Sequence, residues 1–411
     1  MQRYRHKDKM RSYPTATITE KAEKTARAGH PWIFADEVVS LDGGYENGDI
    51  VDVRTAKGRF IGSGFINDAS KIRIRLISRN ANDKFDEDFW ARRVKYAVDY
   101  RKTVMPGSDF RCCRLIFGEA DSFPGLTVDR FDNVLVTEVL SLGAEKRKDV
   151  IYESLLSYLR GSGEDITAIY ERSDSEIRAL EGMDKHVGYC YGGGDGTVVI
   201  TENGIKYEVD YENGQKTGFF LDQKYNRAAV GRIAQSKKVL DCFTHTGAFA
   251  LNAAKGGAAH VTALDISEKA IADARKNAEL NCLQDKVDFV CADVFDYLTQ
   301  AYNENRRDFD FIILDPPAFT KSRTTIKDAM RGYKEINLKA MRLLPRGGYL
   351  ATCSCSHFMR DSIFCQMLHS AAEDAGVSLR QIEARQQSPD HPILWNVPET
   401  DYLKFYIFQI V

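Results

Sequence analysis

Two cysteines, Cys353-Ser354-Cys355, close an apolar run that begins Gly348-Tyr-Leu-Ala-Thr. An earlier apolar run, Phe309-Asp-Phe-Ile-Ile-Leu314, closes on Asp315-Pro316-Pro317-Ala318-Phe319. The two prolines fix an extended turn without N–H donors, which holds Asp315 at the sheet edge, where it can contact a planar amide or amidine. A plain turn is the competing reading of Asp-Pro-Pro, and a lone cysteine is more often core than chemistry. A thiol beside such an acid nevertheless suits one reaction. Cytosine C5 is not nucleophilic enough to attack a methyl sulfonium. A thiolate adding at C6, with a proton or hydrogen bond supplied at N3, creates an enamine that is nucleophilic at C5. Methyl transfer, loss of the C5 proton and elimination of the thiol then follow. Both cysteines sit where a following helix N-terminus would stabilise a thiolate, and they share a face only if the strand runs through both.

Three further acids close strands upstream. Val239-Leu-Asp241-Cys-Phe243-Thr244-His-Thr246-Gly247 reads strand, turn, helix. Of a G-x-G-x-x-G pattern only Gly247 is there, which argues against NAD or FAD. Asp265 follows eighteen residues later, before Ile266 and Ser267, where a carboxylate can accept from both ribose hydroxyls. Asp293 ends a third strand and suits the adenine amino group, with Val294 flanking the ring. One such acid alone is more often a helix cap. Three in register favour an uncharged adenosine bearing a cationic sulfonium, S-adenosylmethionine (SAM).

The elements that must position these groups are strands at 238–242, 260–265, 287–291, 309–314, 348–352, 379–384 and 403–410. Helices are predicted at 248–255, 268–281, 324–344 and 358–375. Five strands joined by helical crossovers make an open, doubly wound parallel sheet, an α/β fold of Rossmann-like layout. The last two strands lack an intervening helix, so the final one is expected antiparallel. Upstream, 13–80 reads as a small β-rich module. Its alternation puts Ile72, Ile74 and Leu76 on one face and Lys71, Arg73 and Arg75 on the other, a basic strand face. A charged helix spans 85–104, and 114–190 alternates strand and helix patterns. Gly192–Gly196 is a plausible hinge, and Asn203-Gly204 marks a hairpin. The expected domains are 1–82, β-rich; 83–195, central α+β; and 196–411, the α/β domain that holds the SAM site.

With those motifs placed, the chain resembles, over nearly its whole length, the RlmI-type family of SAM-dependent 23S rRNA cytosine-C5 methyltransferases. Gly29-His-Pro-Trp-Ile-Phe34 resembles that family's PUA domain; Arg114–Arg130 and 169–174 resemble its central domain. Lys216-Thr-Gly-Phe-Phe-Leu-Asp-Gln223 resembles the segment opening its catalytic domain, and Asp390-His391-Pro392 also has a counterpart. Asp315-Pro-Pro-Ala-Phe and Ser354-Cys-Ser356 match its fourth and sixth methyltransferase motifs. The resemblance implies one catalytic cysteine, because Ala318 stands where two-cysteine families place a second. Matching Ser-Cys-Ser gives Cys355 as nucleophile, with Cys353 ranked second and Asp315 as its catalytic partner. The cofactor set is then Phe220, Gln223, Asp241, Phe243, Thr244, Thr246, Gly247, Asp265, Ile266, Ser267, Asp293, Val294, Asp315 and Pro316. Phe219, Phe220 and Phe319 either line the base pocket or belong to ordinary core. His391 fits a supporting or structural role better than proton removal. Large-subunit ribosomal RNA is the implied partner, and homodimerisation is a further implication.

Composition bounds these readings. A chain of 411 residues, 43% hydrophobic and 28% charged, is globular with two to three domains, which excludes disordered, collagen-like and disulfide-scaffold classes. The N-terminal stretch has basic residues but no apolar h-region, so no secretory signal is expected, and no apolar run suits a membrane span. Nine cysteines without zinc-site spacing read as free thiols in a cytoplasmic protein lacking structural metal. Net charge is −2, yet residues 1–102 carry 21 Lys+Arg against 15 Asp+Glu. A basic front end on an acidic body is the asymmetry expected when one module holds a polyanion. Two rival functions stay open on sequence: a base-nitrogen methyltransferase needing no thiol, and a non-catalytic RNA-binding ribosome assembly factor.

Overall fold

A computed structural model describes residues 13–320 and 322–411. The N-terminal stretch in which no secretory signal is expected lies largely outside the described residues. The chain divides into two compact units. One takes the described residues up to 104, with 114–194 and 393–398; the other takes 105–113, 195–392 and 399–411.

The first unit holds a six-stranded sheet spanning Thr15 to Ser78, closed around Ala16, Ile18, Val51, Val53, Ile66 and Ile74. Alternation along its last strand buries Ile74 and Leu76 as expected. The opposite face is not the free basic surface that the alternation suggested. Arg73 pairs with Asp68 at 2.7 Å, and Arg75 pairs with Glu181 at 2.8 Å and Glu119 at 3.4 Å. Acids of the same unit thus neutralise both guanidinium groups, and only Lys71 of the three is exposed. A five-stranded sheet follows over 112–192, with helices Glu87–Val104 and Lys148–Gly161.

The second unit opens on the hairpin Thr197–Glu202 and Ile205–Asp210. Asn203 and Gly204 turn it at φ 53° and 71°, the left-handed pair that a two-residue hairpin loop requires. Its large sheet has strands β1 Lys238–Cys242, β2 His260–Asp265, β3 Val287–Cys291, β4 Phe311–Leu314, β5 Tyr349–Ser354, β6 Leu379–Arg385 and β7 Lys404–Ile410. Their order is β3-β2-β1-β4-β5-β7-β6. Strands β1 to β5 run parallel, and β7 runs antiparallel to both β5 and β6, as the missing crossover helix dictated. Burial on both faces explains why Phe311–Leu314 is wholly apolar and fully buried. The strand order reverses between β1 and β4, so the loops leaving those two strands diverge and open a crevice at their carboxyl ends. Among the described residues no helix is long and apolar enough to cross a membrane.

Candidate active site

The turn leaving β1 is unusual backbone. Phe243, His245 and Gly247 all have positive φ, at 65°, 50° and 83°. Such conformations cost energy for residues with a Cβ and persist where surrounding structure fixes them, often at binding sites. Asp241 is fully buried beneath this turn. Its Oδ2 accepts from the Thr244 hydroxyl at 2.6 Å and the Ala250 N–H at 2.9 Å. Its Oδ1 is buried without a protein partner, and so is the Thr246 hydroxyl. Burial pushes the Asp241 carboxyl up to about 7, against the pull of the Thr244 hydrogen bond. An acceptor left without a donor in such a place is costly, and a cationic amino group satisfies it. SAM carries one on its methionine moiety, so this carboxylate fits the cofactor.

At the end of β2, Asp265 spans the same turn. Its Oδ2 accepts from His245 N–H and its Oδ1 from Ser267 N–H, both at 2.9 Å. Each oxygen keeps a second lone pair for a ribose hydroxyl. Ser267 caps the helix Glu268–Leu280, and Ile266 beside it is 69% exposed. After β3, Asp293 caps the helix Val294–Asn303 through Oδ1 alone, on Phe295 N–H at 2.7 Å and Asp296 N–H at 3.1 Å. The capping reading therefore holds for Asp293 in part, with Oδ2 left over for an adenine amino group. Val294, expected to flank the ring, is instead packed in the core with Leu298 and Ala301. Ile266 is the apolar side chain standing open at that end. Asp265→Ala is expected to weaken cofactor binding tenfold or more, since hydrogen bonds to a charged group are worth about 1.5–3 kcal/mol. The loss of SAM-induced thermal stabilisation measures it; an unchanged shift removes Asp265 from the site.

Asp315 follows β4 directly, its N–H reaching the Cys242 carbonyl of β1. Its Oδ1 accepts from Cys353 Sγ at 3.0 Å and from Gln223 Nε2 at 3.1 Å. Asn226 orients the Gln223 amide by donating to its Oε1 at 2.6 Å. Burial pushes the Asp315 carboxyl up to about 6, while the Cys353 hydrogen bond pulls it down. Cys353 itself is fully buried, and its sulfur also lies 3.3 Å from the Leu314 carbonyl. Burial holds its thiol far above the ordinary range. It is placed as a donor that orients Asp315.

Cys355 differs in its placement. Strand β5 ends at Ser354, so Cys355 lies beyond it and the two cysteines do not share a strand face. The residue is half-buried, and its sulfur lies 4.0 Å from the Pro316 carbonyl, beside the Asp-Pro-Pro turn. The expected helix N-terminus is not there to stabilise it, because the helix begins only at Asp361. Burial, with Asp315 second, pushes this thiol up to about 11, and the opposing cation is Lys216. Lys216 is exposed, has φ 51°, and stands 5.2 Å from the Phe220 ring, which in turn lies edge-on to His245 at 5.3 Å. Lys404 on β7 supports the same loop. Its buried Nζ donates to the Ser356 carbonyl at 2.6 Å and the Tyr402 carbonyl at 2.8 Å. Burial pulls that ammonium down to about 8.

The aromatic and histidine candidates separate. Phe219 is buried between Tyr207 and the Arg227 guanidinium, in ordinary core. Phe319 leans on Tyr333 at 4.6 Å. His391 is buried against Asp390, Nδ1 to Oδ1 3.0 Å, which suits the structural role. Sequence reading missed Lys216, Lys404 and the donor role of Cys353. Lys216 lay within a segment already singled out, whereas nothing local marks Lys404 as buried. Among the described residues, Glu171, His186 and Cys190 form a group of metal-ligand type, but Lys148 already neutralises Glu171 at 3.0 Å.

Known proteins resemble this arrangement. Residues 166–408 match the S-adenosylmethionine-dependent methyltransferase family, and residues 16–79 match the PUA-like domain. The ribosomal RNA large subunit methyltransferase I of Pseudoalteromonas translucida is 41% identical over 390 residues, covering 94% of this chain and 97% of that protein. The protein of the same name from Shewanella amazonensis is 42% identical with the same coverage. Among solved structures, a putative SAM-dependent methyltransferase from Streptococcus mutans superposes with a TM-score of 0.80 at 22% identity, covering 96% of this chain and 99% of that one. A putative methyltransferase, SMU.776, solved in complex with SAH, superposes equally well.

Proposed function

This chain belongs to the ribosomal RNA large subunit methyltransferase I family of SAM-dependent methyltransferases, and from that premise we propose that it methylates cytosine C5 in large-subunit ribosomal RNA. The observation that carries the reading is the pairing at the crevice. The half-buried Cys355 has its sulfur against the Asp-Pro-Pro turn, and Asp315 is fixed by Cys353 and Gln223. Residues 1–82 act as the PUA-like RNA-binding module, 83–195 as a connecting α+β domain and 196–411 as the catalytic domain. A ribosomal RNA substrate also places the protein in the cytoplasm.

The cofactor would be held by Asp241 at its amino group, by Asp265 at its ribose and by Asp293 and Ile266 near its base. When bound, SAM supplies an electrophilic methyl group to which an activated C5 is the acceptor. The chain supplies the activation. Cys355 passes its proton to the Asp315 carboxylate and adds to C6 of the target base. Asp315, as a neutral carboxylic acid, donates to N3, which the negative charge of addition reaches. Cys353 and Gln223 keep Oδ1 occupied, so Oδ2 faces the base. Once water takes the C5 proton, elimination expels Cys355 as the thiolate and N3 returns its proton to Asp315. The test is a map of 5-methylcytosine in ribosomal RNA. Cells lacking the protein are expected to lose one modified large-subunit cytosine, which purified protein restores on RNA from those cells. An unchanged map would sink the substrate assignment.

A further inference from the structure

Trp395 is 97% exposed, more than any other large apolar side chain among the described residues. Its position is nonetheless built. The Val397 N–H donates to the Leu394 carbonyl at 2.9 Å, which makes 394–397 a turn with Trp395 at its tip. Val397 is 1% exposed and anchors that turn in the first unit. Asn396 Nδ2 donates to the Gly29 carbonyl at 2.7 Å. Gly29 has φ +104°, and a Cβ there would meet Asn396 Nδ2 at 2.4 Å, so the turn seats only on glycine. A cation borders the seat. The exposed Arg79 donates to the Ala26 and His30 carbonyls on either side of Gly29.

Side chains of this size normally serve a core or an interface. An indole standing open on a fixed turn, with a guanidinium bonded to the residues that flank its seat, is an arrangement on which an unpaired base can stack. We propose that Trp395 is a stacking platform for an unpaired base of the RNA substrate, seated on the PUA-like module. The substrate class rests on the reading of the chain as an RNA methyltransferase. The platform belongs to the first unit, whereas every residue of the methyl-transfer crevice belongs to the second.

The test uses the full chain and its Trp395→Ala and Trp395→Tyr variants. The probe is oligoadenosine, alone or annealed to oligouridine. Tryptophan emission of the wild type is expected to be quenched by the single strand and not by the duplex. Trp395→Ala is expected to bind the single strand about tenfold more weakly and to raise the KM for a ribosomal RNA transcript by a similar factor. Trp395→Tyr should recover most of both, because tyrosine also offers a ring face. Single-strand affinity unchanged in Trp395→Ala overturns the proposal. So does a fall in mass in solution from dimer to monomer with RNA affinity unchanged, which assigns the indole to a protein contact. Wild-type methylation of ribosomal RNA tests the underlying reading separately. Its absence, with Trp395-dependent single-strand binding retained, removes the substrate assignment and leaves the platform standing.

Discussion

Cys355→Ala is expected to abolish methyl transfer to ribosomal RNA, with a loss of about ten-thousandfold or more. Cys355 is the group that forms the bond to C6, and removing an enzyme's nucleophile typically costs that much. The neighbouring thiol makes the sharper control. Cys353 is buried, its sulfur lies against the Leu314 carbonyl and Asp315, and it has no approach to a substrate. Cys353→Ser retains a donor of similar size and is expected to lose less than about tenfold. Cys353→Val removes the donor and is expected to lose more than Cys353→Ser, because the carboxylate is then held by Gln223 alone. Labelled SAM reads the transfer, and RNA carrying 5-fluorocytidine reads the covalent adduct as a band that survives denaturation. Wild type and Cys353→Ser should give the adduct, and Cys355→Ala should not. Substantial methylation by Cys355→Ala would exclude thiol addition and favour transfer to a ring or exocyclic nitrogen.

The contrast between these two cysteines shows where sequence stops being informative. Apolar runs, turn residues and acids at strand ends placed β1 to β5, the antiparallel β7 and the crossovers other than the helix Val294–Asn303, because burial on both faces writes itself into local composition. The same local signals marked Asp241, Asp265 and Asp315. Spacing could not say that β5 stops at Ser354, and that single residue decides which sulfur reaches the crevice. Nor could it place the start of the following helix, because Ser356 offers a capping signal several residues before the helix begins at Asp361.

Long-range pairing was equally hidden. Arg75 lies on a strand whose alternation exposes it, yet it meets Glu181, 106 residues away. A guanidinium that finds an acid in its own unit contributes little to a polyanion surface. The basic excess of the first hundred residues therefore overstates what is available to RNA. Lys404 tells the same story in the catalytic unit. A lysine in an otherwise apolar strand reads as an edge residue, whereas here two carbonyls capture it beneath the Cys355 loop. Charge counts register such residues but cannot distinguish a bonded cation from a solvated one.

The pH dependence of the wild type and of Asp315→Asn should separate the roles of the two groups. The productive pair is a Cys355 thiolate with a neutral Asp315. Burial sets the ordinary ionisations the other way, with Asp315 near 6 and Cys355 near 11. Between those values the two groups share one proton, and moving it from sulfur to carboxyl gives the productive pair without changing their total. The productive fraction is therefore small but independent of pH across that window. Below about pH 6 a second proton binds and the thiolate is lost; above about pH 11 the acid is lost as well. At saturating RNA and SAM, wild-type turnover is expected to be flat from about pH 7 to pH 9 and to fall below pH 6. The amide of Asp315→Asn cannot release or return a proton, so turnover of the variant should follow the thiolate alone. It is expected to drop by about tenfold to a thousandfold at pH 7, the lost acid outweighing a larger thiolate fraction, and then to climb about tenfold per pH unit. Loss of the Asp315 charge also lowers the Cys355 thiol, since that charge is among the causes holding it up. The climb should accordingly level off below pH 11. Parallel flat profiles for the two proteins would mean that Asp315 moves no proton and serves only to position the base.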